Sequence, residues 1–383
     1  MRVSSYSAFD GLPEPTRQLF QKAGDECFFN GLPWFRNFVR NGMDPGDQLR
    51  IYCVESGAPK CGPKLALPMV RRAADSGFWK LRKLSSLSSY YSSLFGPAWN
   101  GELSHPVTRE LACAIASDSP RWDAVELKPL AIDSPAFSDL VEGLKAAGFV
   151  VQTYFCFGNW YLEVEGRNFA EYMESLPSTL KNTLSRKKKK LMNSGRAVIE
   201  IVTDGPDLEA SIEAYNQVYL SSWKQPEPYP FFVPGLIRTC AALGALRLGI
   251  VRVGGQPAAA QIWIVRGGSA LIYKLAYDER FKELSAGTIL TAALMQHVID
   301  IDRVRKVDYL SGDDTYKKDW MSHRRELWGI LAMNPLTPRG ALAIARHVGG
   351  RALKRAAFPE VRFGRKSTRE RDERSGNAAT NQV

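Results

Sequence analysis

The chain has 383 residues, 45% of them hydrophobic and 11% aromatic, and carries a formal net charge of +11. That length predicts two domains plus a tail, and that apolar content excludes a wholly disordered chain. No run approaches the roughly twenty apolar residues of a membrane-spanning helix, and the opening MRVSSYSAFDGLPEPTRQ lacks the apolar core of a secretory signal, so the product is expected to stay in the cytoplasm.

The six cysteines and four histidines are scattered, with no CxxC pair, HExxH or zinc spacing. They read as reduced thiols, mostly small buried hydrophobes, and call for no metal. Positive charge gathers at residues 186–190 (Arg-Lys-Lys-Lys-Lys) and again over 339–374. Such patches favour phosphates, anionic lipid or acidic polymers as neighbours. The lysine run has no aromatic residues interleaved with it, which speaks against nucleic-acid recognition and predicts no DNA partner.

In chain order, residues 49–55 and 64–70 predict paired strands, 107–117 a helix and 124–130 a strand. Residues 135–148 predict a helix capped by Gly148, and 149–157 and 160–164 two further strands. Residues 169–193 predict a helical connector with Leu176, Leu180, Leu184 and Leu191 on one stripe and the basic run facing outward. A strand at 198–203, helices at 207–223 and 231–243, and a hairpin of 246–253 with 257–265 about Gly254-Gly255 follow. A strand at 270–276, a helix at 288–301 and a strand at 306–310 complete the second unit.

The expected architecture is α/β with mixed sheets in two modules, 1–165 and 166–335. A third segment, 336–383, contains a basic amphipathic stretch at 340–358 suited to packing on the second module or to peripheral contact with an anionic membrane. From Arg365 onward the composition predicts a disordered tail.

Chemistry concentrates between Ala270 and Trp320. There a strand ends in Tyr277-Asp278, small residues Ser285-Ala286-Gly287-Thr288 open a helix, and a second strand runs into Gly312-Asp313-Asp314-Thr315-Tyr316-Lys317. Small residues at a positive helix end suit a phosphate, although Gly287 also suits close helix–strand packing.

Four strings occur in order: GGQPAAAQ at 254–261, YKLAYD at 273–278, SAGTIL at 285–290 and VDYLSGDDTYKKDW at 307–320. On these motifs the chain resembles the GNAT-fold acetyltransferase family in its BioF2-like or CelD-like branch, related to the FemAB peptidyltransferases. The match covers residues 168–334, with a looser echo in FFNGLPWF at 28–35. The resemblance implies two tandem GNAT-like modules and an acyl-coenzyme A donor, its pyrophosphate held at Ser285, Ala286, Gly287 and Thr288. The common family loop carries more glycine than this one.

Acyl transfer needs a proton acceptor for the nucleophile and a proton donor for the leaving thiolate. Asp278 and Asp308 are candidates for the base or for orienting the acceptor. Asp308 is equally suited to a cap or to an ion pair with Lys274 or Lys306. Tyr316 is the candidate acid, and Trp223, Tyr273, Gly312 and Lys317 are candidate acceptor contacts; Tyr316 and Lys317 are also suited to locking their loop onto the core. The expected activity moves an acyl group from acyl-coenzyme A to an amine or hydroxyl of a sugar or other cell-envelope or exopolysaccharide precursor. The alternatives are a FemAB-like transferase using aminoacyl-tRNA on a peptidoglycan precursor and a non-enzymatic protein binding anionic surfaces.

Overall fold

A computed structural model describes residues 1–55, 62–75, 77, 80–101, 103–193 and 197–357. The expected tail beyond Arg365 and Cys61 lie outside them. The first half comprises β1 (Arg2–Tyr6), α1 (Glu14–Glu26), α2 (Leu32–Asn41), β2 (Gln48–Glu55), β3 (Pro63–Arg71) and β4 (Lys83–Ser86). It continues with β5 (Ala98–Trp99), α3 (His105–Ala116), β6 (Ala124–Ala131), α4 (Pro135–Ala146) and β7 (Val150–Glu163). The second half opens with α5 (Phe169–Ser175), α6 (Ser178–Asn193), β8 (Ala197–Val202), α7 (Leu208–Leu220), α8 (Phe232–Ala242) and β9 (Leu246–Val253). There follow β10 (Gln256–Arg266), β11 (Ser269–Tyr277), α9 (Ala286–Gln296), β12 (Lys306–Ser311), β13 (His323–Met333) and α10 (Pro338–Ala357).

The thirteen strands among the described residues join one mixed α/β sheet in the order β1-β2-β3-β4-β6-β13-β7-β12-β11-β10-β9-β8, with β5 paired to β3 off that path. The last strand, β13, lies between β6 and β7, so the end of the chain closes against the first half. No strand was expected at 323–333, because its charged opening His323-Arg324-Arg325-Glu326 hides the apolar run behind it. Where two strands were expected at 149–157 and 160–164, one continuous strand forms. Gly158 and Asn159 do not interrupt it, since β13 pairs with both (Gly158 with Glu326, Asn159 with Arg325).

The connector divides at Pro177. The proline forces Leu176 into an extended conformation (ψ 153°), ending α5 before α6 begins. Asn168 and Glu171 form a reciprocal capping box at the start of α5. Of the expected leucine stripe, Leu176, Leu184 and Leu191 are buried.

The sheet separates two apolar layers. On one face α1–α4, α7 and α8 pack into a core spanning both halves, and on the other α5, α6 and α9 enclose a smaller one. Aromatic edge contacts join the halves: Trp34 of α2 meets Phe232 of α8 with centroids 5.6 Å apart, and Phe232 stacks on Tyr91 at 3.9 Å. Such pairs contribute about 1 kcal/mol each beyond the area they bury. Asn37 Nδ2 also donates to the Phe232 carbonyl at 3.2 Å.

Candidate active site

Two pairs of parallel strands occur in the sheet, one in each half. β4 pairs with β6 through Lys83–Ala124, Leu84–Val125 and Ser85–Glu126, and β11 with β12 through Ser269–Lys306, Ala270–Val307 and Leu271–Asp308. Beyond these residues each pair diverges. In the first half the protein fills the gap itself. Ser86 and Ser88 donate from Oγ to the Lys128 carbonyl at 2.8 and 2.7 Å, and Phe95 N donates to the Pro129 carbonyl at 2.8 Å. In the second half lysine side chains hold the gap instead.

Backbone irregularities on both strands shape this second gap. β11 has an extra residue where Ile262 pairs with Lys274 and Trp263 with Ile272. The bulge turns Tyr273 and Lys274 toward the same face. β12 bulges against β7 between Asp308 and Ser311, with Leu310 in the left-handed region at φ 56°. For a branched residue without glycine's freedom that conformation is strained, and such strain concentrates at functional sites.

Three ammonium groups converge here. Lys224, in the loop after α7, donates from Nζ to the Leu275 carbonyl of β11 at 2.6 Å. Lys317 donates to the Ser311 carbonyl at 2.6 Å and the Gly312 carbonyl at 3.3 Å, and pairs with Asp314 at 3.2 Å. Lys274 pairs with Glu227 and lies 5.0–5.1 Å from the Tyr91 and Tyr90 ring centroids. An ammonium has three donors. All three of Lys317's are engaged, which makes it a lock on the Gly312–Lys317 loop, whereas Lys224 makes one such bond and has no carboxylate partner among the described residues. Burial, then repulsion from Lys274 and Lys317, pulls the Lys224 pKa down to about 8. Burial lowers Lys274 and Lys317 as well, against their carboxylate partners.

Gly312, at φ +105°, adopts a conformation that favours glycine, and a Cβ there would meet Lys317 Nζ at 2.9 Å. Tyr316 stands edge-on to Tyr309 at 5.7 Å, and burial pushes its pKa up to about 12, so its hydroxyl is protonated at neutral pH. Trp223 is half exposed, with its ring 4.5 Å from that of Tyr277. Tyr273 donates its hydroxyl to the Tyr91 carbonyl at 3.2 Å and packs edge-on to Trp34, as part of the aromatic core under the site.

The two aspartates are committed elsewhere. Asp278 caps the short helical turn at 279–284, accepting the Arg280 backbone N–H at 2.9 Å and its guanidinium at 2.6–3.1 Å. The Arg280 side chain holds the Asp278 pKa down. Asp308, 2% exposed, accepts from Asn159 Nδ2 and Leu310 N at 2.7 Å and from Arg325 at 2.6 Å. Its cation is thus Arg325 of β13, not Lys274 or Lys306, which pair with Glu227 and Glu163.

The expected phosphate cradle lies at the start of α9, where Ser285 is left-handed at φ 52°. The first amides of a helix have no partner within it. Packing does not require glycine at 287, because an added Cβ would meet Tyr277 only at 3.8 Å. Gln261 latches this turn to β10, donating to the Gly287 carbonyl at 2.8 Å and to Thr291 Oγ1 at 2.9 Å while accepting from Trp263 Nε1 at 2.9 Å.

The gap therefore brings together Tyr316, Lys317, Gly312, Tyr273 and Trp223, and α9 places residues 285–288 at the end of β11. The sequence reading passed over Lys224, Glu227, Tyr90 and the role of Lys274. Only Lys224's place beside Trp223, before a proline-rich turn, marked it out, and its acceptor lies 51 residues away. Among the described residues no cluster of three His, Cys, Asp or Glu is arranged to hold a metal, and no helix is long and apolar enough to cross a membrane.

A family model for the acetyltransferase (GNAT) domain matches residues 178–318. FemX resembles the chain at a TM-score of 0.59 and 9% identity, over 87% of this chain and 97% of that one. A tandem GNAT protein from the clavulanic acid biosynthesis pathway resembles it at a TM-score of 0.52 and 13% identity, over 88% and 100% respectively. No curated protein matches the sequence. The acetyltransferase (GNAT) domain model thus matches residues 178–318, and the fold of the whole chain is similar to those of FemX and the tandem GNAT protein.

Proposed function

We propose that the protein is an acyltransferase whose acyl-coenzyme A donor enters between the diverging ends of β11 and β12, and whose acceptor is an amine or hydroxyl of a cell-envelope or exopolysaccharide precursor. The observation that carries this reading is Lys224, an under-coordinated amine held in the one diverging strand pair that the protein leaves unfilled by backbone. The amides of Ala286, Gly287 and Thr288 would hold the donor's pyrophosphate at the positive end of α9. The donor supplies an activated acyl carbonyl.

Lys224 takes the base role expected of an aspartate. In its neutral form it keeps one N–H on the Leu275 carbonyl and offers its lone pair to the acceptor's proton. A pKa of about 8 leaves a useful fraction neutral near physiological pH. Tyr316 supplies a proton to the departing thiolate. Lys317 fixes the loop that carries Tyr316, and Asp278 and Asp308 hold the backbone on either side. Tyr90 and Trp223 flank Lys274 and Lys224 and would line the acceptor's approach.

Titration calorimetry with acetyl-coenzyme A tests the donor. Saturable binding that weakens on Gly287→Asp is expected, and no heat at millimolar ligand would end the reading. The likeness to FemX over almost its whole length supports a second reading, a FemAB-like transferase drawing on aminoacyl-tRNA. Transfer from radiolabelled aminoacyl-tRNA that ribonuclease abolishes would select it.

A further inference from the structure

A second cavity, of about 210 Å³, lies on the opposite side of α9 from β11. Its floor is Ile289, Ala292 and Ala293 of α9, with Met173 of α5, Leu184 of α6 and Ile199 of β8 as walls. Lys181 and Lys188 stand among its lining residues, and no acidic residue does. The groove is therefore mostly apolar, with Ser185 and Gln296 as its neutral polar lining and positive charge from Lys181 and Lys188.

The charge extends well past the groove. Arg186, Lys188 and Lys189 are exposed along α6. Lys187 and Lys190 bend back to donate to the Glu283 carbonyl at 3.2 and 3.4 Å. A single soluble anion would need one or two of these groups, whereas several exposed cations along one helix suit a surface carrying many anionic headgroups.

We propose that α6 and the groove beside it form a docking surface for an anionic phospholipid bilayer, with one acyl chain seated between α5, α6 and α9 and its headgroup at Lys181 and Lys188. The inference stands independently of which donor the active site uses. It also differs from membrane contact through the C-terminal basic segment, because α6 lies in the second module's own core layer. A nucleic acid would use the same lysines but would have no use for a largely aliphatic groove that offers one ring, Phe169, among its lining residues.

Vesicle co-sedimentation of the full chain tests it. Binding to phosphatidylcholine vesicles containing phosphatidylglycerol is expected, with little to pure phosphatidylcholine. The pair Lys181→Glu, Lys188→Glu should weaken binding at least about tenfold. Met173→Glu, which puts a carboxylate in the groove and leaves α6 unchanged, should weaken it too, with the circular dichroism spectrum retained. Equal binding to both vesicle types, or unchanged binding by the charge-reversed pair, would overturn the proposal and point to the C-terminal segment. Retained binding by Met173→Glu would overturn the seated chain. A charge-reversal defect seen with tRNA as probe and not with vesicles would identify the surface as one for RNA.

Discussion

Replacing Lys224 by methionine separates its role in function from its role in stability. The lysine's pKa falls from 10.5 to about 8 in the folded protein, about 2.5 units, which at about 1.4 kcal/mol per unit costs roughly 3 kcal/mol while the group is charged. The hydrogen bond to the Leu275 carbonyl returns about 1 kcal/mol. Lys224→Met should therefore stabilise the protein by about 2 kcal/mol at pH 7. Because the folded pKa lies below the unfolded one, the unfolded chain binds more protons between pH 8 and 10.5, and the penalty fades as pH rises through that window. Urea denaturation at pH 7 and at pH 10.5 reads this directly: the variant's advantage should be present at the first and absent at the second. Its kcat/KM should fall about 10²–10⁴-fold, the range for loss of a general base, and Lys224→Arg, which cannot deprotonate, should fall as far. A variant less stable than the parent at pH 7, or an advantage that does not change with pH, would refute the assignment of a desolvated, unpaired amine.

Tyr316→Phe should lower turnover about a hundredfold with donor affinity in calorimetry unchanged, because a protonated hydroxyl contributes when the thiolate leaves and not when the donor binds. Arg325→Met strands the Asp308 carboxylate in the interior and should cost about 3 kcal/mol in urea denaturation. Adding Asp308→Asn should recover part of that loss, since the neutral amide no longer needs a cation.

The element order from Val198 to Leu310 was legible because it is local. Gly254-Gly255 makes the hairpin, apolar alternation makes β9–β11, and small residues open α9. The same logic placed the small-residue start of α9 beside the ends of two strands. β13 was missed because its apolar residues follow four polar ones, and its pairing with β6 and β7 joins segments that are distant in the chain. The partners of the aspartates were hidden for a related reason. A carboxylate's character depends on its partner, and Arg325 reaches Asp308 from β13, a strand the periodicity had not revealed.

The sequence by itself determined the mixed α/β class, from periods of two and 3.6 residues and from turn chemistry that acts over a few positions, while the GNAT-like plan came from motifs that resemble a known family. Only the tertiary structure decided which diverging strand pair is filled by backbone and which by lysine side chains, and which of those lysines has no ion-pair partner among the described residues. Burial and repulsion from Lys274 and Lys317 lower the proton affinity of Lys224, and those neighbours meet only when β11 and the segments around Lys224 and Lys317 come together.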